Sequence, residues 1–151
     1  MSGNPRTVVS SSWETPPLAI CETGTARGRG VFALRRFEPG EVVETAPVLV
    51  LRCDFSDIPE LLKTYVFDWE HLTGVPRSHA LALGYGGMYN HANPSNLRYE
   101  GDARGAVMRY IAVRRIDVGE ELTINYSGEG GHHEAETDDW FERHDVVLIK
   151  D

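Results

Sequence analysis

Cysteine is scarce: only Cys21 and Cys53 occur among 151 residues. Two thiols cannot build a four-cysteine zinc site or a disulfide framework, which leaves a hydrophobic core as the source of stability. Each closes a short apolar run and is expected to be a buried free thiol, in keeping with a reducing intracellular setting. The N-terminal MSGNPRTVVSSSWETPP has no basic start followed by an apolar run, so no signal peptide is expected. No stretch approaches the ~18 apolar residues of a membrane span. Basic residues are the minority, 15 Lys+Arg against 23 Asp+Glu, for a formal charge of −8. That sign disfavours direct nucleic-acid binding and would draw in a Lys/Arg-rich protein segment. Neither internal repeats nor heptads are evident. The expectation is a soluble protein of the cytoplasm or nucleus with no membrane partner.

With 41% hydrophobic residues, a chain of this length can fold as one ordinary domain. Residues 1–16 are Ser/Pro/Gly-rich and read as a loose arm. Short β-like segments follow, at Leu18–Cys21, Val31–Ala33, Val42–Val43, Val48–Leu51, Tyr65–Trp69, Ala80–Leu83, Val107–Ile116 (read as the longest) and Leu122–Ile124. Glu38-Pro39-Gly40 and Asp117-Val118-Gly119-Glu120 are turn signals, the second joining the last two strands. Asp57 is the expected N-cap of a brief helix with Pro59 in its first turn. Residues 128–151 form a polar, Gly-rich tail with an apolar end. The pattern predicts a mostly-β domain.

Three separated stretches carry chemistry. In Arg27-Gly28-Arg29-Gly30 the glycines would let the backbone approach a ligand, although an ordinary turn is the more frequent explanation of such a pattern alone. The stretch has neither the third glycine of a dinucleotide fingerprint nor the Gly-Lys-Ser/Thr of a phosphate loop. Asn90-His91-Ala92-Asn93-Pro94-Ser95-Asn96 offers donors and acceptors suited to an adenine edge, or to bracing an irregular loop. Gly119-Glu120-Glu121-Leu122-Thr123-Ile124-Asn125-Tyr126 ends on a tyrosine that alone would read as a buried aromatic with a satisfied hydroxyl.

In this order the three stretches resemble the SET-domain family of protein lysine methyltransferases. The family pattern is Gly-x-Gly, then Asn-His-Ser-x-x-Pro-Asn, then Gly-Glu-Glu-Leu-Thr-x-x-Tyr. Two departures occur within the second motif, Ala92 in place of Ser and Ser95 in place of Pro, with a proline one position earlier at Pro94. The resemblance spans about residues 17–142, with the SET domain proper at 17–127. Its compactness is similar to small bacterial or viral members. The tail lacks the zinc-binding cysteines of many relatives, and Trp140-Phe141 looks like the aromatic pair of zinc-free ones.

The resemblance implies a SET (β-clip) fold of small curled sheets with short helices, in which the third-motif strand threads a loop of the second as a pseudoknot. S-adenosyl-L-methionine would be held by Arg27, Gly28, Arg29, Gly30, Asn90 and His91, with Trp140 stacked on its adenine. A lysine of a basic protein or peptide, histone-like in character, would enter a channel lined by Tyr99 and Tyr126, with Tyr126 at the family's catalytic position and no metal required. A homodimer is compatible with a domain this small. The alternative is a SET-like module that binds peptide or cofactor without turnover. A metal site at His132, His133, Glu134 and Glu136 matches no defined zinc spacing. A nucleophilic hydrolase lacks the Gly-x-Ser-x-Gly turn.

Overall fold

The computed structural model describes residues 15–126. Nine strands appear in chain order: β1 (Leu18–Glu22), β2 (Arg29–Ala33), β3 (Val42–Leu51), β4 (Val66–Asp68), β5 (His79–Ala82), β6 (Asn90–His91), β7 (Leu97–Asp102), β8 (Val107–Ala112) and β9 (Glu121–Ile124). Two short helices, α1 (Glu60–Lys63) and α2 (Trp69–Thr73), interrupt them. The strands form a four-stranded sheet in the order β1-β2-β9-β6 and a five-stranded sheet in the order β4-β5-β3-β8-β7. The mostly-β expectation holds, and the core between the sheets includes Phe37, Trp69, Tyr89, Leu97, Met108, Tyr110, Ile116 and Leu122.

Several local expectations are corrected. Val42–Val43 and Val48–Leu51 belong to one ten-residue strand, which makes β3 rather than β8 the longest. Pro47 sits inside β3 without breaking it. Its carbonyl accepts from Leu83, just past the end of β5, so its missing N–H falls where no partner strand runs. Asp57 ends a 3-10 turn (Phe55–Asp57) instead of capping a helix, and Pro59 takes the cap position of α1. Trp69 opens α2 rather than ending a strand. There the Asp68 carboxylate accepts from the His71 N–H at 3.0 Å and Gly74 closes the helix in the left-handed region. Cys21 is exposed and Cys53 half-buried, and both are free. They are not the core thiols that their apolar flanks suggest.

A further correction concerns repetition, because the chain contains one internal echo. Leu34-Arg35-Arg36-Phe37-Glu38-Pro39-Gly40-Glu41 matches Val113-Arg114-Arg115-Ile116-Asp117-Val118-Gly119-Glu120 in type and in structure. Phe37 and Ile116 exchange both backbone hydrogen bonds with each other, at 2.9 Å each. Gly40 N–H donates to Ala112 and Gly119 N–H donates to Ala33, while Ala112 N–H donates to Glu41 and Ala33 N–H to Glu120. Arg35 reaches the Arg36 carbonyl and Glu41, and Arg114 reaches the Arg115 carbonyl and Glu120. Each turn therefore closes on the strand that leads into the other, a pseudo-two-fold arrangement. It follows that Asp117–Glu120 does not join a hairpin: β8 and β9 lie in different sheets.

Candidate active site

The site forms where the three sequence motifs meet at the β6 end of the four-stranded sheet. β9 pairs antiparallel with β2 and parallel with β6, so residues of the first and second motifs flank the third. The second motif also holds β9 by a side chain. Asn96 is buried; its Oδ1 accepts from the Thr123 N–H at 2.8 Å and its Nδ2 donates to the Glu121 carbonyl at 2.8 Å. One carboxamide thus supplies the acceptor and donor that a neighbouring strand would otherwise present. Ala92, despite lacking a hydroxyl, donates its N–H to the Ile124 carbonyl, and the buried Ser95 hydroxyl donates to Leu97. Neither departure from the motif disturbs the clasp.

Tyr126 follows directly. Its hydroxyl donates to the Tyr89 carbonyl at 2.6 Å, and its N–H donates to His91 Nδ1 at 3.0 Å. The second bond makes Nδ1 an acceptor and places the neutral ring's proton on Nε2. The two rings lie 5.3 Å apart. Because the hydroxyl proton is committed to Tyr89, the phenol oxygen meets a ligand as an acceptor. Burial pushes its pKa up to about 12; Arg27 nearby opposes the shift, while Tyr65 and Glu121 add to it. Tyr126 is therefore a neutral phenol at physiological pH and not a base.

Tyr99 lies deeper than its motif position suggests. At 5% exposed, it donates its hydroxyl to the Asn125 carbonyl at 3.2 Å and packs edge-on against Phe67. That bond braces the residue before Tyr126.

The first motif arrives through β2. Gly28 lies in the left-handed region and closes a turn: its N–H donates to Thr25, and its carbonyl accepts from both the N–H and the hydroxyl of Thr23. Its backbone groups are spent within the loop. Gly30 serves differently, since a Cβ there would collide with the Glu121 carboxylate and crowd Asn90. Its bareness makes room for Asn90 Nδ2 to donate to the Arg29 carbonyl at 2.9 Å and to Glu121 Oε1 at 2.7 Å. Asn90 is half-buried, and both of these hydrogen bonds use its amide nitrogen, so Oδ1 is available as an acceptor.

The structure thus brings Arg27, Gly28, Arg29, Gly30, Asn90, His91 and Tyr126 together, with Tyr99 behind them. Trp140 lies outside the described residues, as do His132, His133, Glu134 and Glu136. Among the described residues no group of His, Cys, Asp or Glu could hold a metal, and no helix is long and apolar enough to cross a membrane. Sequence reasoning missed Asn96 as a structural clasp, and it missed Tyr89 and Glu44 behind the site. Tyr89, next to the motif, was the detectable one.

Residues 28–127 match the SET-domain family model. The chain belongs to the SET-domain family. This SET domain is 33% identical over 113 residues to a fission yeast (Schizosaccharomyces pombe) histone-lysine N-methyltransferase specific for H3 lysine 37, covering 73% of each chain. It is similar to the crystal structure of a Plasmodium falciparum protein provisionally assigned as a histone methyltransferase. That match has a TM-score of 0.59 at 25% identity and covers 74% of this chain and 98% of that one. An active polycomb repressive complex 2 in its basal state shares the fold, with a TM-score of 0.63 at 21% identity over 80% of this chain and 17% of that one.

Proposed function

We propose that this SET domain transfers a methyl group from S-adenosyl-L-methionine to the ε-amine of a lysine in a basic protein segment. The observation that carries the reading is Tyr126, a partly buried neutral phenol whose proton is fixed on the Tyr89 carbonyl beside His91 and Asn90. The likeness to a yeast enzyme named for histone H3 makes a histone tail the first substrate to try.

The chemistry is an in-line displacement, whose main demand is alignment of the amine nitrogen with the methyl carbon and sulfur. S-adenosyl-L-methionine, when bound, supplies the electrophilic methyl group. Asn90 and the Arg27–Gly30 segment are the residues that would hold it, Asn90 with its amide oxygen as an acceptor. The Tyr126 oxygen accepts from an amine N–H and aims the nitrogen lone pair. The amine must be neutral, although free lysine titrates near ~10.4. A dry aromatic surround next to a positive charge disfavours the ammonium and lowers that value. Tyr126 does not take the proton; its raised pKa leaves it an orienting group.

The test is transfer of labelled methyl from S-adenosyl-L-methionine to a histone tail and other lysine-rich peptides. Tyr126→Phe should lower turnover about 100-fold or more while the protein stays folded. Near-normal turnover in folded Tyr126→Phe would remove Tyr126 from the mechanism. Cofactor binding by calorimetry without turnover on any lysine-rich substrate would favour a non-catalytic module.

A further inference from the structure

We infer that Glu44 is a positioning residue for methyl transfer: from the core it fixes the loop that ends in Tyr89, Asn90 and His91, and through Tyr89 it sets the carbonyl on which the Tyr126 hydroxyl rests. The inference rests on the methyl-transfer reading above.

The local structure of β3 is built to bury this carboxylate. Along the β3–β8 pair, Val42 faces Ile111 and Glu44 faces Tyr110, so Val43 is the extra residue of a β-bulge. The bulge turns two successive side chains, Val43 and Glu44, inward, and Glu44 ends 5% exposed. Its Oε1 accepts from the Tyr89 hydroxyl at 2.7 Å and its Oε2 from the Tyr85 N–H at 2.9 Å. Gly84 completes the enclosure, since a Cβ there would lie 2.7 Å from Oε2. These two donors are its only hydrogen-bond partners among the described residues, and neither is charged. Burial accordingly raises its pKa, against the pull of the two bonds.

A carboxylate buried without a cation contributes little to stability that an apolar side chain of the same size would not. What it does supply is two directed acceptors for two separate donors. Both donors belong to residues 84–89, a run of turns before β6 that is otherwise tied to the rest of the fold by the Tyr110 hydroxyl on the Gly86 carbonyl at 3.1 Å, the Tyr85 hydroxyl on the Leu18 carbonyl at 3.4 Å and the Tyr126 hydroxyl on the Tyr89 carbonyl at 2.6 Å. Tyr89 is held at both ends. Its hydroxyl is on Glu44, and its carbonyl takes the Tyr126 hydroxyl. A shift of the Tyr89 ring moves that carbonyl, and with it the acceptor that orients the incoming amine. Asn90 and His91, the next two residues, move with it.

The test compares wild type, Glu44→Gln, Tyr89→Phe and the double variant, all as full chains and below their melting temperatures. Labelled-methyl transfer is measured while peptide and cofactor are varied separately. Gln keeps the volume but only one of the two acceptors. Each single variant should lose about 10–100-fold in kcat, as small misalignments near a reacting centre do, with the peptide KM changed less than about 2-fold. The double variant should be no slower than the slower single, because both changes break one link. A purely structural Glu44 would lower the melting temperature and leave the kcat of folded protein unchanged, and that result overturns the inference. Multiplying losses in the double variant also overturn it. If Glu44→Gln does not fold, Tyr89→Phe carries the test alone, and an unchanged kcat there has the same meaning. Silence of the wild type, by contrast, strikes the methyl-transfer reading itself.

Discussion

At the scale of single residues, two asparagines of one motif do different work. Asn96 is buried and spends its carboxamide on the backbone of β9. Asn90 is half-buried and bonds through its amide nitrogen, which leaves its amide oxygen available to a ligand. Truncation should therefore separate stability from binding. Asn96→Ala leaves the Thr123 N–H and the part-buried Glu121 carbonyl without their partner, at ~1–3 kcal/mol for each group, so a loss of about 2–6 kcal/mol is expected. Asn90→Ala removes bonds that are partly open to water and should cost about 1 kcal/mol or less, yet weaken S-adenosyl-L-methionine measurably. Urea titration and calorimetry on both variants check this. Equal stability losses, or unchanged cofactor affinity in Asn90→Ala, would show that the division is wrong. The motif was legible in the sequence, but not this division, because spacing alone does not say which asparagine faces the strand.

At the scale of elements, the two echoed turns provide an internal control. Gly40 and Gly119 share a φ of +86°, and a Cβ at either would meet nothing within 4 Å. Substitution by Ala thus costs only the left-handed backbone, about 1–2 kcal/mol, and should cost the same at both sites. Urea titrations with an unchanged m value would report it. A neutral effect at either site, or a gap of more than about 0.5 kcal/mol between them, would break the claimed equivalence. Both turns were readable from Pro and Gly, but their mutual pairing was not, since it joins residues far apart in the chain. Elsewhere local signals misled. The aromatic run Tyr65–Trp69 has strand-like composition and Val66–Asp68 of it is β4, but Asp68 and Gly74 cap α2 and place Trp69 against Gly101 of β7. β7 itself alternates buried Leu97 and Tyr99 with more exposed Arg98 and Glu100, a period hidden by its Gly101-Asp102 ending. The bulge that turns Glu44 inward has no local sequence signature, so the charge behind the site could only be seen in the fold.

At the scale of the whole molecule, the net charge of −8 is unevenly distributed. Eight of the 23 acidic residues but only two of the 15 basic ones, Arg143 and Lys150, follow Tyr126. The described body is thus nearly balanced, and much of its charge is neutralised locally: Arg35–Glu41, Arg36–Glu38, Arg109–Asp102, Arg114–Glu120 and Arg115–Asp117 are ion pairs. Exposed pairs of this kind stabilise little but leave little field at a distance. If the substrate is a basic segment, attraction must then come mainly from residues after 126. Raising ionic strength from about 0.01 M to 0.15 M shortens the screening length from about 30 Å to 8 Å. Over that range kcat/KM for a Lys/Arg-rich peptide should fall by about 10-fold, mostly through KM, as steered encounters do. A peptide with one lysine and no other charge should show almost no change. Replacing Glu134, Glu136, Asp138 and Asp139 with Gln or Asn should flatten the salt dependence without changing kcat at saturating peptide. Undiminished salt dependence in that variant would instead locate the steering charge on residues 15–126, where Glu121 lies beside the site.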